Sequence, residues 1–207
     1  MFIDIHTHHL ETLQDVTALQ SFRYGMEQIL WSRYCCAAIH PWDVQTADLD
    51  GYEKIVPKLF AISEIGLDKF HPDFLKQTDI FKKQLLLAER YEKVVVVHSV
   101  KSHNETTNIL SHHKGKKIIH SFIGNLSIAN RYIEIGCRLS FSPQSLSSPK
   151  TVDALQGCCL NDIFIETDTS NMPIEEIYTK IASYKSCLVE DLKEAITNNF
   201  KNTFYEL

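Results

Sequence analysis

Six side chains stand out because each closes or follows a short apolar run. His6 and His8 follow residues 2–5, Glu64 ends residues 59–65, His98 follows 94–97, His120 follows 117–119, and Asp168 lies just past 162–165. Imidazole and carboxylate are the donor types that hold divalent first-row cations. His6 and His8 are two apart, and alternation along a strand sends both rings to one face, where they can grip a single ion. An unpaired carboxylate after an apolar strand carries a large desolvation penalty, so Glu64 and Asp168 also call for a cation. Four imidazoles and two carboxylates suit two divalent ions about 3.5–4 Å apart that share one carboxylate, an arrangement that activates water for hydrolysis. The donor set does not select among Mn, Zn, Mg, Fe and Ni.

The elements that must position these groups alternate. Strands are predicted at residues 2–5, 16–22, 34–39, 59–65, 94–97, 117–119, 138–141 and 162–165. Amphipathic helical patterns cover 73–92, 104–112, 126–135, 174–184 and 189–204. The connections between the first three strands look too short for full helices. Unbroken apolar strands alternating with helices imply a buried parallel sheet, either closed or open. A closed barrel brings strand ends from the whole chain to one mouth, whereas an open sheet cannot gather residues from every strand. The expected fold is therefore a compact TIM-like (β/α)8 barrel in one domain spanning residues 1–207, close to the lower limit of roughly 200 residues for that architecture.

Composition narrows the function classes. With 44% hydrophobic and 23% charged residues the chain is an ordinary globular protein. The formal charge of -5 gives no basic stripe for coating nucleic acid, but leaves room for local grip through metal ions. No apolar run approaches the roughly 18 residues of a membrane span, and the N-terminus lacks a signal-peptide pattern, so a cytoplasmic protein without membrane contact is expected. The six cysteines have no CxxC spacing and read as reduced, buried apolar residues. No obligate protein partner is evident.

Seven segments, in order, resemble the TatD-type metal-dependent hydrolases, often called TatD DNases, over nearly the whole chain. They are DIHTHH, AIHPWDV, SEIGLDKF, VVVHSVKSHNET, IIHSFIGN, IFIETDTSN and, near the C-terminus, NFKNTF. The resemblance implies one ion on His6, His8, Glu64 and Asp168 and a second on Glu64, His98 and His120, with Glu64 as the bridge. It also implies a deoxyribonuclease in which activated water attacks phosphorus, with Asp168 orienting that water and accepting its proton. DNA or another phosphoester is the implied substrate. The chain departs from the pattern at Ala38 and Ser63, where the family usually has glycine, and at Val100, where many members have an arginine that contacts phosphate. Lys101 is the candidate substitute for that contact.

Other residues carry weaker signals. His40 suits either a phosphate oxygen or a cap on the Pro41 turn, and Asp68 either orients a ligand histidine or caps the following segment. Phe122 reads as core. His9, His71, His103, His112 and His113 lack strand-end context and are expected on the surface. Two rival readings remain: hydrolysis of another small ester, amide or phosphomonoester by the same chemistry, and an inactive barrel acting as a binding protein.

Overall fold

The computed structural model describes residues 1–10 and 14–205. Eight strands follow one another across the sheet in chain order: β1 Phe2–Thr7, β2 Val16–Arg23, β3 Cys35–Ala38, β4 Ala61–Asp68, β5 Val95–Val100, β6 Lys117–Ile119, β7 Cys137–Phe141 and β8 Ile163–Ile165. The pairs β2–β3, β3–β4, β4–β5 and β7–β8 are parallel. The helices are α1 Leu49–Glu53, α2 Phe74–Arg90, α3 His103–Leu110, α4 Leu126–Glu134, α5 Pro149–Gly157, α6 Ile174–Lys185 and α7 Val189–Phe204. Sequential parallel strands joined by helical crossovers are the (β/α)8 class anticipated from sequence. Among the described residues neither the β1–β2 nor the β2–β3 connection holds a helix, as their lengths suggested.

The chain forms two compact units, residues 1–19 with 119–207 and residues 20–118. In the first, the segment after β8 runs beside β1. Asp168 N donates to His6 O at 3.0 Å and His8 N donates to Asp168 O at 3.1 Å. Helical side chains fasten the strand starts from outside. The Tyr178 hydroxyl of α6 donates to Ile3 O at 2.9 Å, and Asn199 Nδ2 of α7 donates to Leu160 O and Ile163 O at 2.7 and 2.9 Å. Asn199 opens the NFKNTF segment, so a positional signature of the last helix resolves into a clamp on the entry to β8.

In the second unit two buried glutamines do the same work from α2. They are seven residues apart and lie on the face of α2 that also buries Ile80, Phe81 and Leu85. Gln84 accepts from Ile39 N at 2.8 Å and donates to Ile39 O at 2.9 Å, fixing the residue before His40. Gln77 accepts from Asp68 N at 2.8 Å and donates to Pro72 O at 2.9 Å, fixing the end of β4 and the turn beyond it. Between these clamps, the β4–β5 register shifts between Ser63 and Ile65, leaving Glu64 as an extra residue on β4. A bulge of this kind re-aims a side chain. Gly66, at φ 142°, lies opposite His98, and a Cβ there would stand 2.0 Å from the His98 carbonyl oxygen. Only glycine permits that approach.

Several expectations need correction. Glu64 and His98 lie inside β4 and β5, since both strands continue past them through buried Ile65 and Leu67 and through Ser99 and Val100. Helix α5 has a weak apolar rhythm and was not anticipated. Cys159 is exposed and Cys187 half-buried, so burial holds for four of the six cysteines. His113, expected on the surface, is buried against Glu89, with Nδ1 3.0 Å from Glu89 Oε1. Phe122 is buried as expected.

Candidate metal centre

In the unit of residues 1–19 and 119–207, β1 presents His6 and the residue just past its end is His8, the turn after β6 presents His120, and the segment after β8 presents Asp168. Donor atoms of His6, His120 and Asp168 lie within 4.8 Å of one another. Asp168 Oδ1 is 3.8 Å from His6 Nε2 and 3.9 Å from His8 Nε2, distances too long for hydrogen bonds. The His6 ring centroid is 4.5 Å from that of His120 and 5.0 Å from that of His8. Asp168 takes the left-handed region at φ 55°, where the backbone bonds to β1 hold it.

Two acids that sequence reading passed over support this group. Glu166 is fully buried, and its Oε1 accepts from Ser121 N at 2.8 Å and lies 3.2 Å from His120 Nδ1. That contact puts a proton on Nδ1 of the neutral ring and leaves Nε2 as its donor atom. Glu166 Oε2 is buried without a hydrogen-bond partner among the described residues. Asp4 accepts from Thr167 N at 3.0 Å and from Thr167 Oγ1 at 2.7 Å, so the residue between Glu166 and Asp168 is tied to β1. Burial raises the Asp4 carboxyl to about 7 despite the hydrogen bonds from Thr167. The only sequence signal for these roles was position, with Asp4 two before His6 and Glu166 two before Asp168.

In the unit of residues 20–118 donor atoms of His40, Glu64 and His98 lie within 4.8 Å of one another. Glu64 Oε1 is in direct contact with His98 Nδ1 and lies 3.4 Å from His40 Nε2. His40 caps the 3₁₀ turn Pro41–Thr46, with Nδ1 accepting from Trp42 N at 3.2 Å, so its two sequence readings resolve into a cap on one nitrogen and a carboxylate on the other. Burial lowers the His40 pKa and the Glu64 charge opposes that, which favours the neutral ring. Asp68 Oδ2 stands 3.3 Å from His98 Nε2 and accepts from Trp42 Nε1 at 2.8 Å. Burial alone would raise Asp68, but these contacts and a bond from Phe70 N hold it at about 2. Asp68 thus meets both readings, with Oδ2 beside the His98 ring and Oδ1 accepting from Phe70 N at 2.8 Å.

The basic residues differ in availability. Arg23 is held in a two-pronged pair by Asp43, and Lys69 Nζ is 2.6 Å from Glu105 Oε1. Lys101 is exposed just past β5 at φ 54°. The donor chemistry in both units fits a divalent cation: imidazole nitrogen and carboxylate oxygen, gathered from separate elements and buried or half-buried. Among the described residues no helix is long and apolar enough to cross a membrane.

Eight successive strands with helical crossovers, carrying grouped imidazole and carboxylate donors in and after the strands, define a (β/α)8 protein of the metal-dependent hydrolase type. The chain belongs to the TatD related DNase family, whose sequence model matches residues 5–205. It is 30% identical over 155 residues to the metal-dependent hydrolase YjjV of Escherichia coli, covering 68% of this chain and 60% of that protein. It is 28% identical over 206 residues to the human deoxyribonuclease TATDN3, covering 83% and 74% of the two chains. The crystal structure of YjjV superposes with a TM-score of 0.74 at 23% identity, over 85% of this chain and 78% of the other, a likeness that establishes the fold. The chain therefore spans less than two thirds of the length of YjjV as a curated sequence.

Proposed function

We propose that this chain is a metal-dependent phosphodiesterase that cleaves DNA by hydrolysis. The reading is carried by one observation: each unit gathers a histidine–carboxylate donor set from separate elements within 4.8 Å. The name of the human relative, a deoxyribonuclease, supports the choice of substrate. The proposed ligands of two divalent ions are His6, His8, His120 and Asp168 in one unit and Glu64 and His98 in the other. When bound, such ions lower the pKa of water and offset charge on phosphoryl oxygens.

The protein's own groups do the rest. Glu166 holds the His120 ring in the tautomer that presents Nε2, and Asp68 keeps a carboxylate on His98 Nε2. Asp168 Oδ1 is held 3.8–3.9 Å from two imidazole nitrogens by backbone bonds to β1, beside the proposed ligands. It orients the attacking water and takes its proton. The Lys101 ammonium, and the His40 Nε2–H once Glu64 turns to a cation, are the proposed contacts to phosphate oxygens. The test is steady-state hydrolysis of an end-labelled oligonucleotide with Mn²⁺ and with excess EDTA. Metal-dependent cleavage that is lost in EDTA and in His6→Ala supports the reading. Turnover that survives either change ends it.

A further inference from the structure

Trp42 sits beside the His40–Glu64–His98 set with its polarity arranged against the usual logic of packing. Its polar edge is turned inward: Nε1 donates to Asp68 Oδ2 at 2.8 Å, and its backbone N–H is capped by His40 Nδ1. The residue is nonetheless 45% exposed. An indole recruited for stability would bury the large apolar faces and leave the N–H near water. Here the hydrogen bond fixes the ring plane while part of the side chain stays at the surface.

The ring is already half of a stack. His71 lies parallel to it, with centroids 4.4 Å apart and planes 17° apart. The turn that carries His71 is fixed by Gln77, whose Nε2 donates to Pro72 O at 2.9 Å and to His71 O at 3.3 Å. The same turn holds Phe70, a large apolar side chain that is 74% exposed. The Arg23 guanidinium lies over the indole, 5.5 Å from its centroid, so a further ring joins the stack on the His71 side. The Trp42 centroid is 4.7 Å from the His40 ring and 6.1 Å from the His98 ring, both nearly perpendicular to it.

We propose that the Trp42–His71 stack, flanked by Phe70, is a subsite for one unpaired nucleobase, read by its face. The proposal rests on the phosphodiesterase reading and adds where the substrate's base goes. A base added to this stack is joined through one sugar to its own phosphate, beside a set whose His40 and His98 rings lie 4.7 and 6.1 Å from Trp42. Every base has a π face, so the subsite tolerates sequence and selects for strands whose bases are free to leave the duplex. It also discriminates against phosphodiesters that carry no base.

The chain contains two tryptophans, so Trp31→Phe leaves Trp42 as the single indole reporter. The full-length protein in that background, with Mn²⁺, is titrated with a short phosphorothioate-linked oligothymidylate and with an abasic strand of the same length and charge. Fluorescence reports the stack, and anisotropy of an end-labelled strand reports binding. The expected result is saturable quenching by oligothymidylate alone, with affinity about 10-fold or more above the abasic strand. His71→Ala and Phe70→Ala each shrink that ratio, whereas His71→Phe, which keeps a ring, preserves it and guards against a folding artefact. Equal affinity for the two strands, binding of oligothymidylate without quenching, or an equal loss for both strands in His71→Ala overturns the subsite. Failure of the phosphodiesterase reading looks different: the wild-type protein cleaves no phosphodiester with Mn²⁺, whatever the fluorescence does.

Discussion

In the unit of residues 1–19 and 119–207, Asp168 Oδ1 stands 3.8 and 3.9 Å from two imidazole nitrogens, whereas in the unit of residues 20–118 Glu64 Oε1 touches one imidazole and lies 3.4 Å from another. The donor types are the same. What differs is how they are restrained. The first set is backed by Glu166 on His120 and by Asp4 on Thr167. The second set is fastened donor to donor, with Asp68 and Trp42 as outer support. A cation entering the second set must displace the contact between Glu64 and His98. In both sets a buried carboxylate outside the donors, Glu166 or Asp68, holds the ring of one imidazole.

Removing Asp168 breaks the comparison most severely. Asp168→Ala is expected to lower kcat for a labelled oligonucleotide about 10³-fold, since it removes the proposed proton acceptor along with a ligand. The fold is expected to remain, because the bonds from Asp168 to β1 use its backbone. Thermal melting checks the fold and initial rates check the loss. A variant with near-normal turnover would show that the spacing around Asp168 has no chemical purpose.

The next effect concerns the donor-to-donor set, which depends on the close approach of β4 and β5. Gly66→Ala places a Cβ 2.0 Å from the His98 carbonyl oxygen, so backbone must move, and a loss of about 3 kcal/mol or more is expected. Gly25, at φ 81° with open space around its Cβ position, is the control: Gly25→Ala meets only the left-handed backbone cost of about 1–2 kcal/mol. Urea unfolding of both variants gives the difference directly. Similar losses would mean that the close approach at His98 is not what organises Glu64.

A finer test exchanges the supports for amides. Glu166→Gln and Asp68→Asn are each expected to weaken Mn²⁺ binding about 10- to 100-fold by calorimetry, because each removes a carboxylate partner of a ligand imidazole. No loss in either variant would contradict the account of how the ligand imidazoles are held.

These supports also mark where sequence reading stops. The six proposed ligands were legible because each interrupts or follows an apolar run, and all eight strands were found for the same reason. The ends of β4 and β5 were not legible: Ile65 and Leu67 continue the apolar pattern past Glu64, and apolar character does not say where a ladder of hydrogen bonds ends. Asp4 and Glu166 read only as acids in buried strands, a cost whose compensation lies across the fold in Thr167, Ser121 and His120. Helix α5 escaped because Pro149–Gly157 buries just Thr151, Ala154 and Leu155, too short a stripe to set a period. The exposed stack of Trp42 and His71 had no signal, because ring-on-ring contact joins a turn after β3 to a turn after β4.

The smallest effect lies away from the donors and tests whether buried histidines outside the two sets behave as structure. His113 has its pKa lowered by burial, with Glu89 opposing and the Lys117 charge reinforcing the shift. Its folded value therefore lies below the unfolded value near 6.5, so the unfolded chain binds more protons as pH falls past that point. Stability contributed by the neutral ring is complete above about pH 6.5 and is lost on acidification towards the folded pKa. His113→Gln, which keeps a polar side chain but cannot charge, is expected to flatten that part of the stability profile without changing metal content. Urea midpoints at pH values on either side of about 6.5 decide the matter, because parallel profiles for the variant and the wild-type protein would place the acid sensitivity elsewhere.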